Sequence, residues 1–310
     1  MRRNAVSALA CVAVLCVLWC KSAGAYDTIP PDALSTSSAI LGAEGLYAGA
    51  LPPPGFYLID YTLYYHAGEL KGRHGREVNG PPFTDFEAWA LANVIRPIYV
   101  ANTTILGANP AWHMVIPIVH KSLSSDFFDQ DKTGLGDIYV SPLILAWHSP
   151  PWHYAAGLDV IVPTGKYHKG DVTNIGNNHW TFEPAFALSY IGESGFVADT
   201  KLMYDIHTED HALDYQEGQQ FHLDYNVGYC FGAQKQWRAG LCGYYLTSLE
   251  NDKFKGKTIG GSKEKVFAIG PTLSYQPNRR LSIEVKVQKE LMAQNRPEGV
   301  AAWLKLIFAF

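Results

Sequence analysis

The groups in this 310-residue chain that could do chemistry are its eleven histidines, its carboxylates and its cysteines. His207 and His211, with Glu209 and Asp210 between them, have the residue types of a zinc site. They sit in a polar stretch with no helical period to bring an i, i+4 pair onto one face, so no metal site is expected there. His179, Ser189 and His222 fall on polar faces of successive segments, where a serine and a histidine from neighbouring strands could pair as nucleophile and base. The sequence contains no Gly-x-Ser-x-Gly elbow, phosphate-cradling glycine loop or Cys-x-x-Cys pair. No catalytic residue and no cofactor is therefore expected. The remaining candidates are single charges and one phenol spaced along the chain: Asp60, Asp137, Tyr139, Asp159, Glu183, Asp199, Lys201, Asp224 and Arg238.

What must position these groups is almost entirely of period two. From Phe221 to Phe231, Phe221, Leu223, Tyr225, Val227, Tyr229 and Phe231 share one face, and His222, Asp224, Asn226, Gly228 and Cys230 share the other. Strict alternation is the mark of a strand with one apolar and one polar side. The same signal recurs at Tyr57–His66, His179–Tyr190, Phe196–His207, Leu281–Lys289 and Val300–Phe310, and no stretch of equal clarity has helical period. It is least legible over Phe86–Asn109, where Arg96-Pro97 interrupts it. The connectors alternate as well. Short ones such as His148–Pro151, Ile191–Gly195, Gly232–Gln236 and Gln276–Arg279 are interleaved with long polar ones such as Gly68–Thr84, Lys121–Gly134, Gly165–Asn177, Thr208–Gln219 and Asn251–Ser262.

Short turns at one end and long loops at the other describe an outer-membrane barrel, and strands of ~10–13 residues between these connectors number about twelve. The expected fold is thus an all-β, antiparallel transmembrane barrel over 55–310. Composition agrees: 13% of residues are aromatic and only 17% are charged, against about 25% in ordinary soluble domains. A two-sheet sandwich would crowd its polar face with Lys and Glu. Here that face mixes both signs of charge with Gly, Ser, Thr and Asn, as a wet lumen does. The apolar face carries Tyr57, Tyr65, Trp152, Trp180, Tyr190 and Phe310 near strand ends, where lipid–water interfaces favour aromatics. A net charge of −4 without a basic stripe excludes a nucleic-acid binder.

The first 25 residues read as a secretory signal. Arg2 and Arg3 precede an apolar run from Ala8 to Cys20, and Ala23-Gly24-Ala25 offers small residues before a cut at Tyr26. Residues 26–54, rich in Ala, Gly, Ser and Pro, either fold back into the pore as a plug or remain a periplasmic tail. Beyond the signal, Cys230 and Cys242 lie symmetrically about position 236. They are either a disulfide across one hairpin or two small buried residues that face each other. Asp137, Asp159 and Glu183 either pair with Lys201 and Arg238 to pack the lumen or line a selectivity surface. Tyr139, Leu143, Leu145, Trp147 and Tyr244 are expected to point inward, as filling or as a place for an apolar solute.

Several phrases in fixed order carry a resemblance: Pro52-Pro53-Pro54-Gly55-Phe56-Tyr57 before Asp60-Tyr61, Gly134-Leu135-Gly136-Asp137-Ile138-Tyr139-Val140-Ser141-Pro142, Val162-Pro163-Thr164-Gly165-Lys166-Tyr167, Asn174-Ile175-Gly176-Asn177-Asn178-His179-Trp180, Asp214-Tyr215-Gln216-Glu217-Gly218 and Ile269-Gly270-Pro271. From about residue 50 to 310 the chain resembles the outer-membrane family named for the meta-pathway of phenol degradation. The resemblance implies a transport-type barrel in the Gram-negative outer membrane, near aromatic catabolism, and brings no catalytic residues. The expected function is a channel for small hydrophobic or aromatic solutes. A non-transport barrel, either a lipid hydrolase or a structural or adhesive protein, is the alternative. The partners expected are outer-membrane lipid, the solute, and the barrel-assembly machinery through the terminal Phe310.

Overall fold

The computed structural model describes residues 39–310, so the export signal expected over 1–25 and residues 26–38 lie outside the described residues. In chain order the strands are β1 (Gly55–Lys71), β2 (Glu87–Val100), β3 (Asn109–Ser125), β4 (Phe128–Leu135), β5 (Ile138–Ser149), β6 (Trp152–Val162), β7 (Thr181–Ile191), β8 (Phe196–His207), β9 (Tyr215–Gln216), β10 (Gln220–Phe231), β11 (Trp237–Ser248), β12 (Lys253–Phe254), β13 (Lys257–Thr258), β14 (Lys265–Asn278), β15 (Leu281–Gln294) and β16 (Arg296–Ala309). Twelve of them close a ring of antiparallel neighbours, with β1 paired to both β2 and β16 and β2 paired to β3. Closure satisfies the backbone where lipid offers no hydrogen bonds. β4 extends the wall rather than widening it: β3 pairs with β5 over its first half and with β4 over its second. The expected loop at Lys121–Gly134 is therefore largely a tall hairpin. The two-residue strands β9, β12 and β13 form a small sheet at the long-loop end, packed through Leu213, Tyr215 and Ile259.

The alternation seen in the sequence sorts side chains between lipid and lumen as expected on β7, β8, β10, β15 and β16. On β10, His222, Asp224 and Asn226 are buried inside, while Val227, Tyr229 and Phe231 are exposed outside. An aromatic belt rings the short-turn end, including Phe56 with Phe310 at 5.7 Å, Tyr99 with Trp112 at 6.1 Å, and Trp152 with Tyr190 at 4.9 Å.

Two stretches reverse expectation. On β1 the aromatic set Tyr57, Ile59, Tyr61, Leu63 and Tyr65 faces the lumen, and Phe56, Asp60 and Tyr64 face outward. Asp60 is thus no lumen residue. It lies midway between the exposed rings of Phe56 and Tyr64, its carboxylate accepting from Asn93 Nδ2 at 3.0 Å. The reason is that both faces of β1 and β2 meet apolar surroundings, lipid outside and the N-terminal segment inside, so hydrophobicity alone does not fix the register. On β5 the pairing with β6 slips between Val140 and Leu143. That bulge keeps Tyr139 and Ser141 inside, then turns Leu143, Leu145 and Trp147 outward and Ile144 and Ala146 inward. Trp147 stacks on Tyr154 at 5.3 Å instead of lining the lumen.

The cysteine expectation is also corrected. The β10–β11 ladder turns about position 234, placing Cys230 opposite Arg238 and Cys242 opposite Asn226. Four residues of strand separate the two thiols, roughly 13 Å, far beyond the span of a disulfide. Both are buried and free.

Candidate functional site

Residues 39–51 run inside the barrel, and the wall side chains they touch form an extended polar site. Two carboxylates hold the segment by its backbone. Asp224 accepts from the amides of Gly42 and Glu44 at 2.8 and 2.9 Å. Asp199 accepts from the Tyr47 amide at 2.9 Å and from the Asn226 side chain at 3.3 Å. The Lys286 ammonium donates to the carbonyls of Ala43 and Glu44, both at 2.8 Å. The Arg238 guanidinium lies over the Tyr47 ring, 4.1 Å from its centre. These groups project from β8, β10, β11 and β15, so the segment is fixed on several sides of the wall.

At the centre of the site is Glu44. Its carboxylate accepts from Arg96 at 2.7 Å and stands 3.8 Å from both Lys201 and Lys305. From there a line of charge crosses the lumen. Arg96 donates to His113 Nδ1, and His113 Nε2 is 2.9 Å from Asp159. Because Arg96 can only donate, His113 receives it as the neutral ring with its proton on Nε2, facing Asp159. Lys201 lies 3.7 Å from both Asp159 and Glu183, and His222 stands between Glu183 and Asp205 at 3.5 and 3.2 Å. Charges this deeply enclosed are tolerable only because each meets an opposite one.

Below Glu44, toward the short-turn end, the lumen holds a cavity of about 670 Å³. Ile59, Ile98, Ile144, Ala155 and Ile307 line it together with Arg238, Glu284 and Lys305. Above Glu44 a smaller cavity of about 50 Å³ lies among Ile40, Tyr139, Glu183 and Trp303. The described N-terminal segment borders both cavities, and the larger one lies on the side where β1 begins and β16 ends.

Among the residues singled out from sequence, Asp159, Glu183 and Lys201 fall in the charge line, and Asp199, Asp224 and Arg238 grip the N-terminal segment. Tyr139 is buried inside. Asp137 does something else: it accepts from the amides of Gly165 and Asn177, both at 2.8 Å, and so folds the segment between β6 and β7 onto the barrel rim. Gly165 and Gly176 touch there, since a Cβ on Gly165 would lie 2.4 Å from the Gly176 Cα. A second rim lock uses Asp252, which accepts from the Gly218 amide and the Tyr215 hydroxyl, both at 2.8 Å. Burial pushes the Asp252 carboxyl above its ordinary range despite these donors. The Ser189 hydroxyl donates to Asp199 and accepts from the Gly49 amide at 2.9 Å. It serves the N-terminal segment rather than a base, and His222 sits opposite Met203, four residues along β8 from Asp199. Glu44, Arg96, His113, Lys286 and Lys305 were not singled out. Arg96 hid beside a proline that suggested a turn, and Lys305 was visible only as a cation in an otherwise apolar last strand.

A family model described as "Putative MetA-pathway of phenol degradation" matches residues 70–306. The chain belongs to this family. The family phrases now have structural reasons: Gly134 to Pro142, Val162 to Tyr167 and Asn174 to Trp180 meet at the Asp137 lock, and Asp214 to Gly218 meets the Asp252 lock. Among solved structures, an outer membrane channel of Pseudomonas putida F1 is similar with a TM-score of 0.74 and 15% identity, covering 84% of this chain and 97% of that one. The β domain of the Bordetella autotransporter Brka is similar with a TM-score of 0.50 and 6% identity, covering 83% of this chain and 99% of that one. Both share its β-barrel fold. No curated protein matches it.

Proposed function

We propose that the chain is an outer-membrane uptake channel for small apolar and aromatic compounds, held closed by its own N-terminal segment. The observation that carries this is the way the lumen is blocked. Its constriction is built around the segment latched through Glu44, whose carboxylate meets Arg96, Lys201 and Lys305 of the wall. Withdrawal of residues 39–50, which line the 670 Å³ cavity, would enlarge it toward the upper lumen. That volume lies within the range of about 300–1,000 Å³ usual for small-molecule sites. The isoleucines of the cavity lining suit an aromatic ring, and the family's association with phenol degradation supports that solute class.

Deletion of 39–50 with the export signal retained tests the proposal in liposomes. Swelling in phenol and similar monoaromatic solutes should accelerate relative to the intact chain. A deletion barrel that folds, as judged by its gel mobility before and after boiling, yet passes no more solute than the intact one would overturn the channel in favour of a filled structural barrel.

A further inference from the structure

At the long-loop end, remote from the Glu44 latch, three chain segments bring two imidazoles and a carboxylate together. We propose that His179, His207 and Glu217 bind a divalent transition-metal ion of the zinc type, tying the rim segments after β6 and β9 to the end of β8. The candidate donor atoms all lie within 4.8 Å of one another, and all three residues are buried. His207 Nε2 and Glu217 Oε2 face each other at 3.9 Å, too far for a hydrogen bond, and neither atom has a hydrogen-bond partner. A buried imidazole nitrogen and carboxylate oxygen left this way are costly unless something sits between them.

The opposite atoms of the same groups are occupied, which fixes how the open ones point. His207 Nδ1 shares a hydrogen bond with the Thr181 hydroxyl at 2.9 Å, and Glu217 Oε1 accepts from the Gln220 side chain at 2.8 Å. The His179 ring meets that of His207 edge-on, with centres 5.4 Å apart. Outer partners that orient each ligand in this way are the usual support of a metal site. Two nitrogens and one oxygen suit zinc, whereas calcium and magnesium prefer all-oxygen sets. The nearby group Glu183, Asp205 and His222 differs, because there His222 already stands within 3.5 Å of both carboxylates.

The test uses the untagged full-length protein in detergent, loaded with Zn²⁺, dialysed against metal-free buffer and assayed by elemental analysis. About one zinc per chain should remain, as for a closed structural site. His207→Ala and Glu217→Gln should each retain at least tenfold less, and Thr181→Val should weaken affinity by roughly 10–100-fold. His211→Ala, whose ring is exposed on the adjoining loop, should retain zinc like the parent. Mobility before and after boiling shows that each variant is folded, and Glu217→Gln, which preserves volume, decides if His207→Ala is not. A second readout is tryptic cleavage at Lys166 and Lys169, which EDTA should accelerate in the parent and leave unchanged in Glu217→Gln. Absence of retained zinc in the parent, or equal retention by Glu217→Gln, overturns the site.

Discussion

Replacing Glu44 by glutamine should convert a mostly closed barrel into a mostly leaky one. The carboxylate accepts from Arg96 at 2.7 Å and stands 3.8 Å from each of Lys201 and Lys305. Glutamine keeps the volume and one acceptor, but three cations then face a neutral group. Removing one partner from a buried ion pair costs ~3–5 kcal/mol. Lys201 retains Asp159 and Glu183 at 3.7 Å, so the lower end applies. The penalty falls on the closed form alone, because water solvates the cations once the segment withdraws. About 3 kcal/mol is a factor of about 150 in the ratio of closed to open forms. Single-channel recording in planar bilayers reads that ratio directly. The parent should open rarely, and Glu44→Gln should spend about two orders of magnitude more time open. A folded variant with the parent's open fraction would refute the latch.

Two further outcomes follow from other parts of the structure. Asp137→Ala strips the acceptor from the amides of Gly165 and Asn177. Each buried group left unsatisfied costs ~1–3 kcal/mol, so the segment between β6 and β7 should lose protection at Lys166 and Lys169 in limited proteolysis while the barrel stays heat-modifiable. Cys230 and Cys242 should each take one maleimide after denaturation without reductant and none in the native state. Loss of labelling that reductant restores would show a disulfide and contradict the β10–β11 register.

What could be read from the sequence depended on whether the two sides of a strand met different surroundings. β10 was legible because Phe221 to Phe231 meet lipid while His222, Asp224 and Asn226 meet polar neighbours. β1 was readable as a strand but not in orientation, since Tyr61 packs on Trp303 inside while Phe56 and Tyr64 are exposed outside. A side-chain period of two is blind to which side is which when both are oily. The bulge after Val140 left no mark in the alternation, so Leu143 and Trp147 were assigned one step out of phase. A hairpin turn centred two residues earlier than expected shifted Cys242 from Cys230 to Asn226. The grip of Asp199 and Asp224 was legible as inward charge, but not its object. Those two carboxylates meet Gly42, Glu44 and Tyr47 through backbone amides, and an amide carries no signature in residue type.

The same grip bears on how the molecule is made. Gly42 binds Asp224 across 182 positions, and Lys286 binds the Ala43 carbonyl across 243. The part of the chain that emerges first at the periplasm must therefore wait for nearly the last strand before its carbonyls are engaged. Pairings so distant in sequence form slowly. The wall residues they neutralise would meanwhile stand as bare charges in a half-built cylinder. Assembly should thus end with a concerted step, in which the seam between β1 and β16 zips shut around a leader already in place.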